Sequence, residues 1–221
     1  MKIKYSTFSE QGPRRDNQDY IQIVTDDANE SAVFILCDGM GGHVMGGMAS
    51  KIVATSIARD FRFSAHKSEQ DIHEALKRAS WTLDTMSEIY GGAQMGTTMV
   101  MAYLDRDKLT VAHCGDSRCY VFSSNKQLKY MTEDHVRNGY IERCFFAGHP
   151  EKAEPDIEII SVSKGDRLLL CSDGLYNSIY PDIIKDRMFD DKPLDDIMDT
   201  YKFLCEKYSS DNYSGILVTI E

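Results

Sequence analysis

Two apolar runs in this chain end in the same way. Phe34-Ile35-Leu36-Cys37 leads into Asp38-Gly39-Met40-Gly41-Gly42, and Leu168-Leu169-Leu170-Cys171 leads into Ser172-Asp173-Gly174. Four successive apolar residues with no polar alternation mark a strand covered on both faces, so the sheets that hold these runs must be sandwiched between other layers. Each run delivers a carboxylate into a turn whose glycine lets backbone approach an ion or a phosphate closely. A lone Asp-Gly after a strand is an ordinary turn; its recurrence makes the pair a candidate site. Asp38 and Asp173 are 135 residues apart, so any site they share exists only once the chain has folded.

The order of elements narrows the fold. Lys2 to Thr25 reads as two strands around the polar loop Glu10 to Asp19, and Met45 to Phe63 and Glu69 to Tyr90 carry helical apolar spacing. Short β-rich runs follow at Thr97–Leu104, Leu109–His113, Ser117–Phe122 and Lys126–Met131. Their brief connections, Gly115-Asp116 among them, predict antiparallel neighbours. Thr132 to Gly148 reads as irregular or partly helical, and Ile157–Val162 and Arg167–Cys171 as strands joined by a hairpin-like turn at Ser163–Asp166. Two helices, Pro181–Met188 and Leu194–Tyr208, precede a closing strand, Gly215–Ile220. Strands and helices do not alternate as a parallel sheet requires. The prediction is α+β: two antiparallel sheets packed as a central sandwich with helices on both sides, in one domain over residues 1–221.

Composition excludes several functions. The net charge of -10 opposes binding to a polyphosphate backbone, so nucleic acid is not an expected partner. The start Met1-Lys2-Ile3-Lys4-Tyr5 lacks a signal-peptide apolar stretch, and no apolar span is long enough for a membrane. None of the six cysteines forms a Cys-x-x-Cys pair, so small buried thiols in a reducing compartment are expected. The reading is a cytoplasmic protein with no membrane partner.

Further acids sit beside glycine turns or at predicted strand ends: Asp19, Asp116 within His113-Cys114-Gly115-Asp116-Ser117-Arg118, and Asp211 before the last strand. Carboxylates gathered together repel one another unless cations neutralise them. An all-oxygen set without clustered His or Cys favours hard ions, Mg²⁺ or Mn²⁺, over zinc. A backbone carbonyl such as that of Gly39 can complete such a shell. Two ions side by side are the general route to hydrolysis of a phosphate ester, and Arg14 or Arg15 supplies a guanidinium fork for the phosphate.

The ordered motifs Arg14-x-x-Asn17-Gln18-Asp19, Asp38-Gly39-Met40-Gly41-Gly42-His43, Gly96-Thr97-Thr98, Gly115-Asp116-Ser117-Arg118, Thr132-x-Asp134-His135, Ser172-Asp173-Gly174 and Asp211-Asn212 run nearly the length of the chain. In that order the chain resembles the metal-dependent Ser/Thr protein phosphatases of type 2C, in the compact form seen in bacterial members. The resemblance implies a two-metal core held by Asp38, the Gly39 carbonyl, Asp173 and Asp211. It also implies that Asp19 supports the activated water, that Arg14 grips the phosphate, and that Asp116 serves a weaker third metal. Arg14 is preferred to Arg15 because it stands five residues before Asp19, the family spacing.

The implied partners are phosphoprotein substrates and a cognate Ser/Thr kinase, and a monomer is expected. Departures from the family pattern are Gln18 for a usual Glu, Gly47 and Asn177 for usual acids, and a short flap over His135–Gly148. They motivate an alternative, a weak or inactive member that binds phosphoproteins as a regulatory module. Met40 stands where some members carry His, which leaves His43 as the candidate general acid; His113 and His135 are read as orienting loops by hydrogen bonds.

Overall fold

Alternation within the apolar runs sets the layers. The computed structural model describes residues 2–40, 45–62 and 66–221. The chain opens with β1 (Ile3–Glu10), β2 (Asp19–Asp26) and β3 (Ser31–Asp38), followed by α1 (Gly46–Phe61) and α2 (Glu69–Ile89). Next come β4 (Gly96–Thr97), β5 (Met99–Asp105), β6 (Lys108–Cys114), β7 (Arg118–Phe122) and β8 (Leu128–Met131). Three two-residue strands follow, β9 (Val136–Arg137), β10 (Tyr140–Ile141) and β11 (Phe145–Phe146). A 3₁₀ turn at Pro150–Lys152 leads to β12 (Asp156–Ser161) and β13 (Arg167–Cys171). The chain closes with α3 (Asp173–Tyr176), α4 (Pro181–Met188), α5 (Leu194–Tyr208) and β14 (Tyr213–Ile220).

Two five-stranded sheets form, ordered β1-β14-β13-β7-β8 and β12-β6-β5-β3-β2, and every pairing within them is antiparallel. On β3, Ala32, Phe34 and Leu36 point at the other sheet and join Val100, Leu168 and Val218 in the core between sheets. Val33, Ile35 and Cys37 point the other way, into a core shared with Val53 and Ile57 of α1 and Ala75 and Leu83 of α2. The opposite sheet repeats the arrangement, with Leu169, Cys171 and Leu217 packed on Ile184 of α4 and Tyr201 of α5. One apolar run thus serves two cores. A fully buried aliphatic side chain contributes about 1.5–3 kcal/mol, and alternation lets each residue of the run contribute at that level. The result is the predicted α+β sandwich flanked by helices. Ser68 starts α2 with a reciprocal capping box to Asp71, and Pro181 starts α4 at a position where its missing N–H costs nothing.

Two connections differ from the sequence reading. The turn at Asp105–Lys108 joins neighbours, but Gly115–Ser117 and Ser163–Asp166 do not close hairpins. β6 and β12 belong to one sheet and β7 and β13 to the other, so each of these links crosses the sandwich. Packed sheets lie about 10 Å apart, a gap that links of three residues after β6 and five after β12 span as readily as they close a hairpin. Thr132 to Gly148 contains no helix. β9 and β10 form a small hairpin whose corner, Asn138-Gly139, has positive φ at both residues, 53° and 80°, the pattern that matches strand twist in a two-residue turn. β11 pairs with β4.

Candidate active site

The carboxylates meet at one edge of the sandwich because several chain segments change direction there. Antiparallel pairing of β2 with β3 sets Asp19 directly opposite Asp38, and like charges in that relation are destabilising without compensation. Asp173 begins α3 at the end of β13, Asp211 precedes β14, and Asp116 lies on the crossing from β6 to β7. Asp38, Asp116, Asp173 and Asp211 line a cleft of about 900 Å³ together with Gly39 and Arg14. Asp19 is buried beneath it. His43 lies outside the described residues.

Backbone geometry fixes the two Asp-Gly turns. The Asp38 carbonyl accepts from Thr98 N at 2.9 Å and from Thr97 Oγ1 at 2.8 Å, and the Asp38 N–H donates to Thr98 Oγ1 at 3.2 Å. Gly39 N–H donates to the Gln18 carbonyl at 3.1 Å. A Cβ on Gly39 would stand 2.4 Å from the Gly46 carbonyl oxygen, and one on Gly174 only 1.9 Å from that of Asn212. At both places glycine is required by close backbone approach.

Electrostatics mark the cluster as strained. Burial, followed by the charges of Asp19, Asp173, Asp116 and Asp211, pushes the Asp38 carboxyl well above its ordinary range. Burial raises Asp19 to about 6, with Asp173 adding to the rise and hydrogen bonds from Ser214, Ser172 and Asp38 opposing it. Burial and the charges of Asp173 and Asp134 raise Asp116 to about 6. Asp173 is raised by burial and by Asp211. Asp38 is within hydrogen-bonding reach of both Asp19 and Asp173. Asp19 Oδ2 accepts from Ser172 Oγ at 2.8 Å, while Oδ1 is buried with no hydrogen-bond partner among the described residues. Crowded, raised carboxyls with an orphaned buried oxygen and an all-oxygen donor set fit divalent cations of the Mg²⁺ and Mn²⁺ kind.

Arg14 stands at the rim, donating from Nη2 to Asp211 Oδ2 at 2.7 Å and from Nε to the Ser210 carbonyl at 3.1 Å. Arg15 also lines the cleft. Several residues that the sequence reading gave no role tie the site together. Asn212 Oδ1 accepts from Gln18 N–H at 3.0 Å, and its Nδ2 donates to the carbonyls of Gln11 at 2.6 Å and Asp16 at 2.9 Å, which anchors the loop that carries Arg14. Ser172 joins Asp19 to β14 by accepting from Ser214 N–H at 2.9 Å. Their signal in the sequence was an amide and a hydroxyl each adjacent to a candidate acid. Tyr140 and Ile141 of the short hairpin form part of the cleft wall.

Fold and site together define a phosphohydrolase built on a four-layer sandwich. The family model described as Protein phosphatase 2C matches residues 13–212. The chain belongs to this family and is a protein phosphatase. It is 28% identical to the protein phosphatase PhpP of Streptococcus pneumoniae over 99% of this chain and 98% of that protein. A crystal structure of a bacterial serine phosphatase superposes with a TM-score of 0.88 at 26% identity, covering 100% of this chain and 98% of that one. The catalytic domain of the serine threonine protein phosphatase PstP, solved with two manganese ions, shares the fold with a TM-score of 0.85 at 23% identity, covering 98% and 97% of the two chains.

Proposed function

We propose that this chain carries out the family reaction, metal-dependent removal of phosphate from phosphoserine and phosphothreonine in proteins, as one domain spanning residues 1–221. The observation that carries the proposal is the convergence of Asp19, Asp38, Asp116, Asp173 and Asp211 on one edge, with the carboxyls of Asp19, Asp38, Asp116 and Asp173 raised and Arg14 at the rim. Asp38, the Gly39 carbonyl, Asp173 and Asp211 would hold two divalent ions, and Asp116 a weaker third. Mg²⁺ and Mn²⁺ both suit these donors, and the two manganese ions in PstP favour Mn²⁺ as the first ion to test. When bound, such ions supply Lewis acidity that activates water and neutralises phosphoryl oxygens.

The chain's own groups do the rest. Arg14 presents a planar fork to two phosphoryl oxygens. Asp19 Oδ1, having no donor among the described residues, accepts a hydrogen bond from water in the cleft, while Ser172 holds Oδ2 in place. Gln18 contributes an amide and no charge, which leaves the core carboxylates intact. The alternative, an inactive phosphoprotein-binding module, is not favoured, because no core acid is missing. No helix among the described residues is long and apolar enough to cross a membrane. Substrates on this proposal are the phosphoprotein products of a Ser/Thr kinase, and the protein acts as a cytoplasmic monomer. Purified protein with Mn²⁺ should release phosphate from a phosphothreonine peptide and from an aryl phosphate. No release from either, with calorimetry showing Mn²⁺ bound, refutes the proposal.

A further inference from the structure

A second polar cluster lies behind the site, on the far side of the Gly115–Asp116 turn. His113 on β6 and Asp156 on β12 are directly opposed in the antiparallel register, and the His113 ring stacks on His135 with centroids 4.4 Å apart. One ligand atom from each of His113, His135 and Asp156 lies within 4.8 Å of the others. The hydrogen bonds leave too few lone pairs for a metal. His113 Nε2 meets the Glu133 carbonyl at 2.8 Å and so carries a proton, and His135 Nδ1 accepts the Gly115 N–H at 3.2 Å. The remaining His135 nitrogen, Nε2, must therefore be the protonated one, and it donates to Asp156 Oδ2 at 3.0 Å. Within the cluster, His113 Nδ1 alone keeps an imidazole lone pair with no partner among the described residues.

The same bonds describe a clamp. His135 grips both polar groups of Gly115, accepting its N–H through Nδ1 and donating its own backbone N–H to the Gly115 carbonyl at 2.9 Å. Gly115 holds φ at 120°, and the next residue is Asp116. Asp156 is itself fixed by Arg143, which donates to both carboxylate oxygens at 2.7 and 3.0 Å. Arg143 follows the short hairpin directly, and Glu142 N–H donates to the His135 carbonyl at 2.8 Å. A buried imidazole is locked in one tautomer by the acceptor on its other nitrogen. We propose that Asp156 is a positioning residue: by holding His135 in its Nε2–H tautomer, it sets the Gly115–Asp116 turn and ties that turn to the hairpin at the cleft wall.

The link to metal rests on the proposed role of Asp116, so the test has two arms. Long-range ¹H–¹⁵N correlation on the full chain should show His135 protonated at Nε2. Asp156→Ala, which leaves only the long 3.2 Å bond from the Gly115 N–H to favour one tautomer, should give mixed tautomers and a shifted Gly115 amide, and Asp156→Asn, which keeps an oxygen for the Nε2 proton, should preserve the tautomer. Asp156 has a half-exposed side chain, so both variants should fold. In calorimetric Mn²⁺ titrations, Asp156→Ala should loosen the weakest binding step about tenfold, the scale of one charge-assisted hydrogen bond, and should add nothing in an Asp116→Ala background. An unchanged His135 tautomer and Gly115 amide in Asp156→Ala overturns the proposal, as does an equal loosening with Asp116 already removed. If Asp116→Ala alone leaves every Mn²⁺ step unchanged, the metal role of Asp116 is wrong, and the tautomer spectra alone decide the positioning role.

Discussion

Asp19→Asn changes one atom in a buried acid of the site and alters how the stability of the metal-stripped protein depends on pH. The folded carboxyl is raised from 3.8 to about 6, chiefly by burial. An acid whose folded pKa is raised stabilises the fold fully below the unfolded value and loses that stabilisation as pH rises through the folded value. The loss here falls between pH 4 and pH 7 and amounts to about 3 kcal/mol. Asparagine keeps an oxygen for Ser172 Oγ, places an amide within reach of Asp38, and carries no charge to desolvate. In EDTA, the stability of Asp19→Asn relative to wild type should therefore grow by about 3 kcal/mol from pH 4 to pH 7.5. At a urea m-value of about 2–3 kcal/mol/M, that is a midpoint shift of about 1–1.5 M. Urea melts followed by circular dichroism at several pH values read it directly. Parallel pH profiles for the two proteins would refute the claim that burial of this carboxylate strains the site.

Two further substitutions probe other parts. Arg14→Ala should lower kcat/KM on a phosphothreonine peptide on the order of a hundredfold, by removing the proposed bidentate phosphate donor; steady-state kinetics in Mn²⁺ checks it, and because Arg14 is half-exposed the melting temperature should hardly move. Gly174→Ala drives a Cβ to 1.9 Å from the Asn212 carbonyl oxygen and should cost about 2–3 kcal/mol of stability. The same shift displaces the Asn212 anchor of the Arg14 loop, so activity measured on the folded fraction should fall as well.

The layers were legible in the sequence because they follow from burial. Phe34–Cys37 and Leu168–Cys171 are apolar on both faces, and a strand of that kind has few places to go other than the middle of a covered sheet. Asp19, Asp38, Asp116, Asp173 and Asp211 were also visible, each in or beside a turn, and the structure brings them to one edge. What could not be read was which strands face each other. A link such as Gly115–Ser117 has the same length whether it closes a hairpin or crosses a sandwich, and only the side chains on the two faces, distributed over the whole chain, decide between them. The supporting contacts of Asn212 and Ser172 were hidden for a similar reason. Their partners, Gln11, Asp16 and Asp19, lie more than 150 residues away in sequence; adjacency to a candidate acid marks Asn212 and Ser172 but does not say what they bond.

Acids distributed along the chain are proposed to act as one metal-dependent hydrolytic site. That proposal is tested most directly by Asp38→Asn, measured for phosphate release from a phosphothreonine peptide across a Mn²⁺ titration, with folding checked on the same samples. The variant should fold at least as stably as the parent in EDTA, since a charge leaves an acidic cluster, and should lose Mn²⁺-dependent turnover by about a hundredfold or more, the scale of removing a group that holds the site's charge. A folded Asp38→Asn protein as active as the parent at every Mn²⁺ concentration would contradict the proposal.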